Sequence, residues 1–278
     1  MNEFFHVMTL PFLACLILAG IHAYLGLHVI ERQVIFVDLA LAQIAVLGAS
    51  LALAFGQSMD SVQAYWMSLG FTLVGAAIFS LTRFKEQRIP QEAIIGIAYA
   101  VAAALLVMVV SRSGEGDEHI REALVGNILL IRKAEVLKIA TIYSLVGLFH
   151  YVFREKFLLI SRDPQAAYRQ KINVRLWDFL FYASFGFVVT SSDRIAGVLL
   201  VFSFLVVPSV AALLFSNKIR MRLALGWAIG FLASVLGMAV SYYLDFPTGA
   251  SVVCMFGVIL VLCAFFKKIL SGFKKKNI

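Results

Sequence analysis

Long apolar runs alternate with short polar connections along almost the whole chain. A run of about 20 apolar residues is the length that crosses the hydrocarbon core of a bilayer as an α-helix. The pattern therefore predicts an all-α, polytopic transmembrane helix bundle of eight to nine spans. The predicted spans are residues 9–29, 34–56, 62–82, 91–111, 136–153, 176–190, 195–216, 223–243 and 247–266.

The composition agrees with a membrane protein. The chain is 62% hydrophobic and 14% charged, and its mean hydropathy is +0.92, whereas soluble domains average roughly 45–50% apolar and about 25% charged residues. The three cysteines lie at unrelated spacings without a CxxC pair, which excludes a zinc ribbon or a disulfide framework. We expect one transmembrane domain over residues 1–278, with no separate soluble module.

The basic residues are distributed unevenly between the two sides of the predicted spans. The formal net charge is +8, and 18 of the 24 Lys and Arg residues fall in the connections on one side. By the positive-inside rule, this side is cytoplasmic, so that the N-terminus lies outside and the C-terminus inside. The charge is thus a topology signal with a share of lipid-headgroup binding, and it does not indicate nucleic-acid binding.

Two of the connections are long. The connection 112–134, on the predicted outer side, either lies along the membrane surface or enters the membrane. The segment 155–175, on the predicted cytoplasmic side, is basic, and Asp163 followed by Pro164 predicts a helix N-cap with proline at the first helical position. This segment either docks a soluble partner or lies on lipid headgroups.

Polar residues inside the predicted spans are the candidate functional residues. A carboxylate at the centre of a membrane helix costs about 2.5–3.5 kcal/mol on insertion scales, so Asp38 indicates a functional site or a helix–helix contact. Gln43 lies in the same span, and His22 lies deeper than His28 and His150, which we expect at headgroup depth near the inner interface. For Asp38, Gln43 and His22, lining a substrate path and interhelical packing or hydrogen bonding both stay open.

Two further features concern helix packing. Gly226 and Gly230 form a GxxxG pair, which is typical of close contacts between membrane helices. Pro208 removes one backbone N–H from its span and predicts a kink there.

The motifs of common enzymes are absent from the sequence. The chain contains no HExxH, GxSxG or Walker motif. We therefore expect a transporter rather than an enzyme, and any ATP hydrolysis must be carried out by a separate subunit.

Five stretches carry a resemblance to a known family, in the family's order and spacing. The sequence resembles permease subunits of the zinc/manganese/iron-type ABC importers, which share a Glu-Ala-x-Ile-Gly span and a final Pro-x-Gly-x-x-Ile/Val motif. The five stretches are "FVDLALAQIAVLG", "QEAIIGIAYAVAAALLVMVVS", "VGNILLI", "DRIAGVLLVFSFLVVPSVAALL" and "DFPTGASVV".

The resemblance implies the partners and the cargo. It implies a homodimeric channel in the cell membrane, two cytoplasmic ABC ATPase subunits that use ATP, and an extracytoplasmic solute-binding protein. The cargo would be a divalent metal ion such as zinc or manganese, and the chain itself would bind no cofactor. The resemblance also implies that the segment 155–175 couples to the ATPase. The coupling residues would be Asp163, Pro164, Ala166, Tyr168 and Lys171.

The second span departs from the family pattern. Typical members carry Asp-x-x-x-His here, a spacing that places a carboxylate and an imidazole on one helix face. In this chain Gln43 stands at the histidine position, and Asp38 precedes it by five residues, about 140° away around the helix. Because an amide is a poorer zinc ligand than imidazole, the identity of the cargo stays open. The alternatives are a non-metal or chelated cargo, a gradient-driven carrier without ATPase partners, and a membrane enzyme.

Overall fold

The computed structural model of the chain describes residues 2–58, 61–83, 89–111 and 126–276, and this part is helical, with no β-strand. A short 3₁₀-helix, Ile128–Leu130, precedes the fifth α-helix. The α-helices are α1 (Asn2–Arg32), α2 (Val37–Ala54), α3 (Val62–Leu81), α4 (Gln91–Val110), α5 (Lys133–Val152), α6 (Arg154–Arg162), α7 (Pro164–Arg169), α8 (Val174–Ala196), α9 (Val198–Phe215), α10 (Ile219–Leu244) and α11 (Thr248–Lys276).

Eight of these helices are long and apolar enough to cross a membrane, which confirms the predicted multi-span all-α fold. They are α1 to α5 and α9 to α11. The predicted span 176–190 belongs to α8, which has 23 residues but is not among the eight. Its ionisable residues lower its hydropathy, although much of its length is buried inside the bundle.

The connection between the predicted spans 176–190 and 195–216 is shorter in the structure than the sequence predicts. Residues 191–194 do not form a connection, because α8 continues to Ala196 and only Gly197 separates it from α9. Gly197 has φ 76°, in the region that favours glycine.

Helices α1 and α10 run antiparallel and pack through small residues. A Cβ added to Gly226 would lie 3.3 Å from the Cβ of Ala23, and a Cβ added to Gly230 would lie 2.9 Å from the Cβ of Ala19. The GxxxG pair therefore forms a close helix contact, as its spacing predicts.

Helices α1 and α9 approach even more closely. A Cβ added to Gly26 would overlap the carbonyl oxygen of Leu205, so the two backbones touch at this point. Pro208 lies one turn further along α9, which continues on both sides of it. The kink at Pro208 stays a prediction.

The helices differ strongly in the fraction of their residues that is buried inside the protein. In an 18-residue apolar stretch of each helix, only 22% of the residues of α4 and 17% of those of α11 are buried, compared with 67% in α1. Phe181, Phe185 and Val188 on α8 are fully buried, so this helix lies in the core.

The long connection 112–134 is only partly described. Its residues 112–125 lie outside the described residues, so its entry into the membrane stays a prediction. Ile128 and Ile131 are buried against the bundle.

The cytoplasmic segment predicted from the sequence contains two short helices, α6 and α7. The Asp163 carboxylate accepts a hydrogen bond of 2.8 Å from the backbone N–H of Ala166, and Pro164 is the first residue of α7. This confirms the predicted N-cap. A small core of Ile160, Ala167 and Val174 holds α6, α7 and the start of α8 together.

Candidate functional site

Two carboxylates are buried between the helices without hydrogen-bond partners. Asp38 lies in the first turn of α2 and is fully buried, and Asp193 lies in the last turn of α8 and is 7% exposed. None of their four carboxylate oxygens has a hydrogen-bond partner among the described residues. Because burying an ionised carboxylate without a partner costs several kcal/mol, the charged form of each side chain is unfavourable at its position.

Hydroxyl groups and one imidazole lie beside Asp193. The Nδ1 of His22 lies 2.9 Å from the carbonyl oxygen of Leu18, which fixes Nδ1 as the donor and leaves Nε2 as the acceptor. That Nε2 lies 3.4 Å from the Oγ of Ser192. We call His22, Tyr143, Ser192 and Asp193 the inner polar cluster.

Tyr143 joins α5 to this cluster. The Oγ of Ser192 donates to the carbonyl oxygen of Val188 at 2.7 Å, so the Tyr143 hydroxyl is the donor in its short hydrogen bond to Ser192. The described residues contain no group of three or more His, Cys, Asp or Glu side chains placed to hold a metal ion, so His22 does not complete a ligand set with the two carboxylates.

The sequence-predicted path residues fall into two environments. His22 lies beside Ser192 near the end of α8, Asp38 is fully buried in the first turn of α2, and Gln43 is only half-buried. Helix α2 is α-helical from Val37 to Ala54, so no π-bulge brings Gln43 onto the face of Asp38. The role of all three residues in a substrate path stays a prediction.

Sequence analysis misses Asp193. The dipeptide Asp193-Arg194 interrupts the apolar pattern, so hydropathy places it in a connection. The signal that could locate it is the run Thr190-Ser191-Ser192 directly before it, because small hydroxyl residues are typical of contacts between membrane helices. All three are buried.

A second group of charges lies where α1 ends and α8 begins. The Nη1 of Arg32 is 2.5 Å from Oδ1 of Asp178, and the Nη1 of Arg83 is 2.8 Å from both oxygens of the same carboxylate. All three side chains are buried. Burial acts to lower the pKa of Arg83, but the Asp178 carboxylate together with the hydroxyls of Tyr182 and Tyr168 outweighs it, so the pKa is raised. We call Arg32, Arg83 and Asp178 the buried ion cluster.

The buried ion cluster is bonded to α6. The Nε of Arg32 donates to the Oγ of Ser161 at 2.8 Å, and the Nη2 of Arg83 lies 3.5 Å from the carbonyl oxygen of Ile160. Ser161 Oγ is also 2.8 Å from the Nδ1 of His28. The segment 155–175 is therefore connected by polar contacts to α1, to the residues that follow α3 and to α8.

The prediction that His28 and His150 lie at headgroup depth near the inner interface stays a prediction, but the protein itself covers both side chains. Both imidazoles are buried, at 1% and 0% exposure. His150 stacks on Phe157 of α6 with a centroid distance of 4.2 Å, and its Nε2 lies 2.8 Å from the Oγ of Ser184. These histidines are packing residues between α1, α5, α6 and α8.

The fold and its buried charges define a multi-pass membrane protein of the transporter class. The chain belongs to the ABC 3 transport family, which matches residues 4–267. It is thus a membrane-spanning permease subunit of an ABC transporter in the plasma membrane, as the resemblance predicts.

Relatives and a solved structure cover most of the chain. It is 26% identical over 223 residues to the manganese transport system membrane protein MntC of Listeria innocua, which covers 77% of this chain and 79% of the relative. It is 23% identical over 264 residues to the manganese import system permease protein ScaB of Streptococcus gordonii, with coverage of 94% and 91%. The fold is similar to that of PsaBC from Streptococcus pneumoniae in complex with Fab, with a TM-score of 0.77 at 20% identity and coverage of 94% of each chain.

Proposed function

We propose that this permease subunit imports a divalent transition-metal ion, with manganese the first choice. The names of the MntC and ScaB relatives refer to manganese transport, which supports this cargo. Because the chain has no Walker motif, we assign ATP hydrolysis to cytoplasmic ATPase subunits. A solute-binding protein outside the cell and a second copy of this chain complete the proposed importer, with the N-terminus outside and the C-terminus in the cytoplasm.

The proposal rests on the Asp38 carboxylate, which is buried and has no hydrogen-bond donor in the described part of the chain. If Asp38 served only as a hydrogen-bonding contact between helices, its oxygens would have donors, but neither oxygen has one among the described residues. A carboxylate that is buried and unpaired suits a passing cation. Carboxylate oxygen is also a ligand that manganese prefers.

The contacts of the cytoplasmic segment support a coupling role. The side chains of Asp163 and Arg169 are 52% and 70% exposed, so α7 offers charged groups to a partner. The other end of the segment reaches the buried ion cluster through Ser161 and Ile160. Through these contacts, a displacement of α7 by the ATPase is transmitted to α8, which carries Asp193 in its last turn. We propose that this movement alternates access to the substrate path.

The test is uptake by the chain reconstituted in liposomes with its cognate ATPase and binding protein. We expect ATP-dependent accumulation of Mn²⁺, and we expect Asp38→Ala to abolish it while ATPase docking and expression stay unchanged. Wild-type uptake by Asp38→Ala would exclude Asp38 from the path. ATP turnover that the binding protein stimulates without accumulation of Mn²⁺, Zn²⁺ or Fe²⁺ would indicate a chelated or non-metal cargo. Uptake that follows an ion gradient without ATP would overturn the ABC mechanism.

A further inference from the structure

An open pocket lies between the end of α6 and the start of α10. It has a volume of about 730 Å³, and its walls include the side chains of Arg162, Lys218 and Arg220. Arg162 is the last residue of α6, whereas Lys218 and Arg220 flank the first residue of α10. No acidic residue lines the pocket in the described part of the chain. We call it the basic pocket, because cations from two separate helices border it.

The three cations of the basic pocket have no carboxylate partners. None of their side chains forms a hydrogen bond or an ion pair with another described residue. Two carboxylates belong to the neighbouring turns, but both are engaged elsewhere. Asp163 lies 3.5 Å from Arg169 and caps α7, and Glu31 pairs with Arg222. The basic pocket therefore presents uncompensated positive charge to a ligand.

The first turn of α10 adds further hydrogen-bond donors. No side chain caps the helix at Lys218, so the backbone N–H groups of this turn are available to an anion. In the same turn the Nε and Nη2 of Arg222 are buried without partners among the described residues, although its Nη1 pairs with Glu31. A phosphate group, which accepts several charge-assisted hydrogen bonds from guanidinium and N–H groups, matches this surplus of donors.

An exposed apolar stripe leads away from the basic pocket along α10. It begins with Met221 and Ala224, which line the pocket, and continues with Ala228, Phe231 and Val235. These residues follow one another at spacings of three and four, which places them on one helix face. From Met221 to Phe231 the helix rises about 15 Å, roughly half of the hydrocarbon core of a bilayer. The apolar stripe thus has the length of an acyl chain in one leaflet.

We propose that the basic pocket binds the phosphate headgroup of an anionic phospholipid, with an acyl chain of that lipid along the apolar stripe. The cations pair with the phosphate, and the exposed apolar side chains pack on the chain. A soluble phosphate compound would use the pocket alone, and an acidic protein surface would leave the stripe uncovered. The bound headgroup links α6, in the segment 155–175, to the start of α10 by ionic contacts. This inference does not depend on the identity of the transported cargo.

The first test is native mass spectrometry of the purified full chain in detergent with equal amounts of phosphatidylglycerol and phosphatidylcholine. We expect at least fivefold more bound phosphatidylglycerol than phosphatidylcholine. The double variant Lys218→Gln/Arg220→Gln should bind the two lipids about equally, because it removes two of the three cations. Undiminished preference for phosphatidylglycerol in this variant would overturn the proposed site.

The matched control is Arg175→Gln/Lys267→Gln. Both residues are exposed, on α8 and α11, and neither lines the basic pocket. This variant lowers the net charge by the same amount and should keep the wild-type preference. An equal loss of preference in both double variants would show that the net charge alone attracts the lipid, and would overturn the site.

Thermal unfolding separates loss of the site from loss of the fold. The substituted cations are exposed, so in phosphatidylcholine alone the wild type and both variants should unfold at nearly equal temperatures. Phosphatidylglycerol should raise the midpoint of the wild type and of Arg175→Gln/Lys267→Gln, and should leave that of Lys218→Gln/Arg220→Gln unchanged. An equal rise in all three proteins would contradict the proposal.

Two competitors test the other occupants of the basic pocket. Soluble glycerol phosphate, at the concentration of the lipid, should not displace phosphatidylglycerol, because it lacks an acyl chain for the apolar stripe. Equal displacement would overturn the lipid assignment. Bound phosphatidylglycerol should also remain when the cognate ATPase is added, and its release would assign the pocket to the ATPase interface instead.

Discussion

Asp178 of α8 and Arg32, the last residue of α1, form an ion pair of 2.5 Å with both side chains buried. The two residues are far apart in the sequence, and Arg83 completes the group from the end of α3. Removing one partner of a buried pair leaves an uncompensated charge, which is far more destabilising than the net stabilisation by the intact pair. The three charges therefore fix the relative positions of α1, α3 and α8 beside the segment 155–175.

Asp178→Asn should be strongly destabilising, because it leaves the guanidinium groups of Arg32 and Arg83 buried without a carboxylate. We expect a loss of about 3–5 kcal/mol, measured as a lower midpoint of thermal unfolding in detergent. Glu135→Gln is the control: Glu135 pairs with Arg132, whose side chain is 80% exposed, and losing an exposed pair costs about 0–1 kcal/mol. Similar midpoints for the two variants would show that the ion cluster is not needed for stability.

The ion pair of Arg222 and Glu31 predicts that removing one partner destabilises the protein more than removing the other. The side chain of Arg222 is 2% exposed and that of Glu31 is 25% exposed. Glu31→Gln leaves a buried guanidinium, whereas Arg222→Met leaves a carboxylate that water still reaches, so Glu31→Gln should lower the unfolding midpoint more. The double variant should recover most of the loss, because it leaves no buried charge. Additive losses in the double variant would refute this explanation.

The contact of α1 with α9 predicts a large difference between two glycines of the same helix. A Cβ on Gly26 would collide with the carbonyl oxygen of Leu205, whereas no atom lies within 4 Å of a Cβ on Gly20. Gly26→Ala should force the helices apart and cost about 1–3 kcal/mol, whereas Gly20→Ala should be neutral or slightly stabilising. Equal unfolding midpoints would contradict the close approach.

The N-cap of α7 predicts an effect on coupling. Asp163→Ala removes the hydrogen bond to the N–H of Ala166 and should destabilise α7 by about 1 kcal/mol, which lowers ATP-dependent uptake without changing Mn²⁺ binding. Asp163→Asn keeps a capping oxygen and should retain most of the uptake. If Asp163→Asn is as impaired as Asp163→Ala, the charge of Asp163, including its 3.5 Å contact with Arg169, is the important property.

The sequence is sufficient to predict features that depend on local pattern. Apolar runs predict the membrane helices, Asp163-Pro164 predicts the start of α7, and the spacing of Gly226 and Gly230 predicts a close helix contact. Each follows from residues within one or two helical turns, where hydropathy and backbone geometry act without distant partners.

The partners of the buried charges were decided by the tertiary structure. Hydropathy places Asp178 near an interface and Asp193 in a connection, because each lowers the hydropathy of its own segment. Both are buried since other helices surround them: Asp178 has Arg32 and Arg83 as partners, whereas the Asp193 carboxylate has no hydrogen-bond partner among the described residues. The sequence by itself determined the family, the all-helical fold and Asp38 as a candidate. Only the packing of α8 decided which charges are neutralised and which remain unpaired, because electrostatic energy depends on distances between residues far apart in the chain.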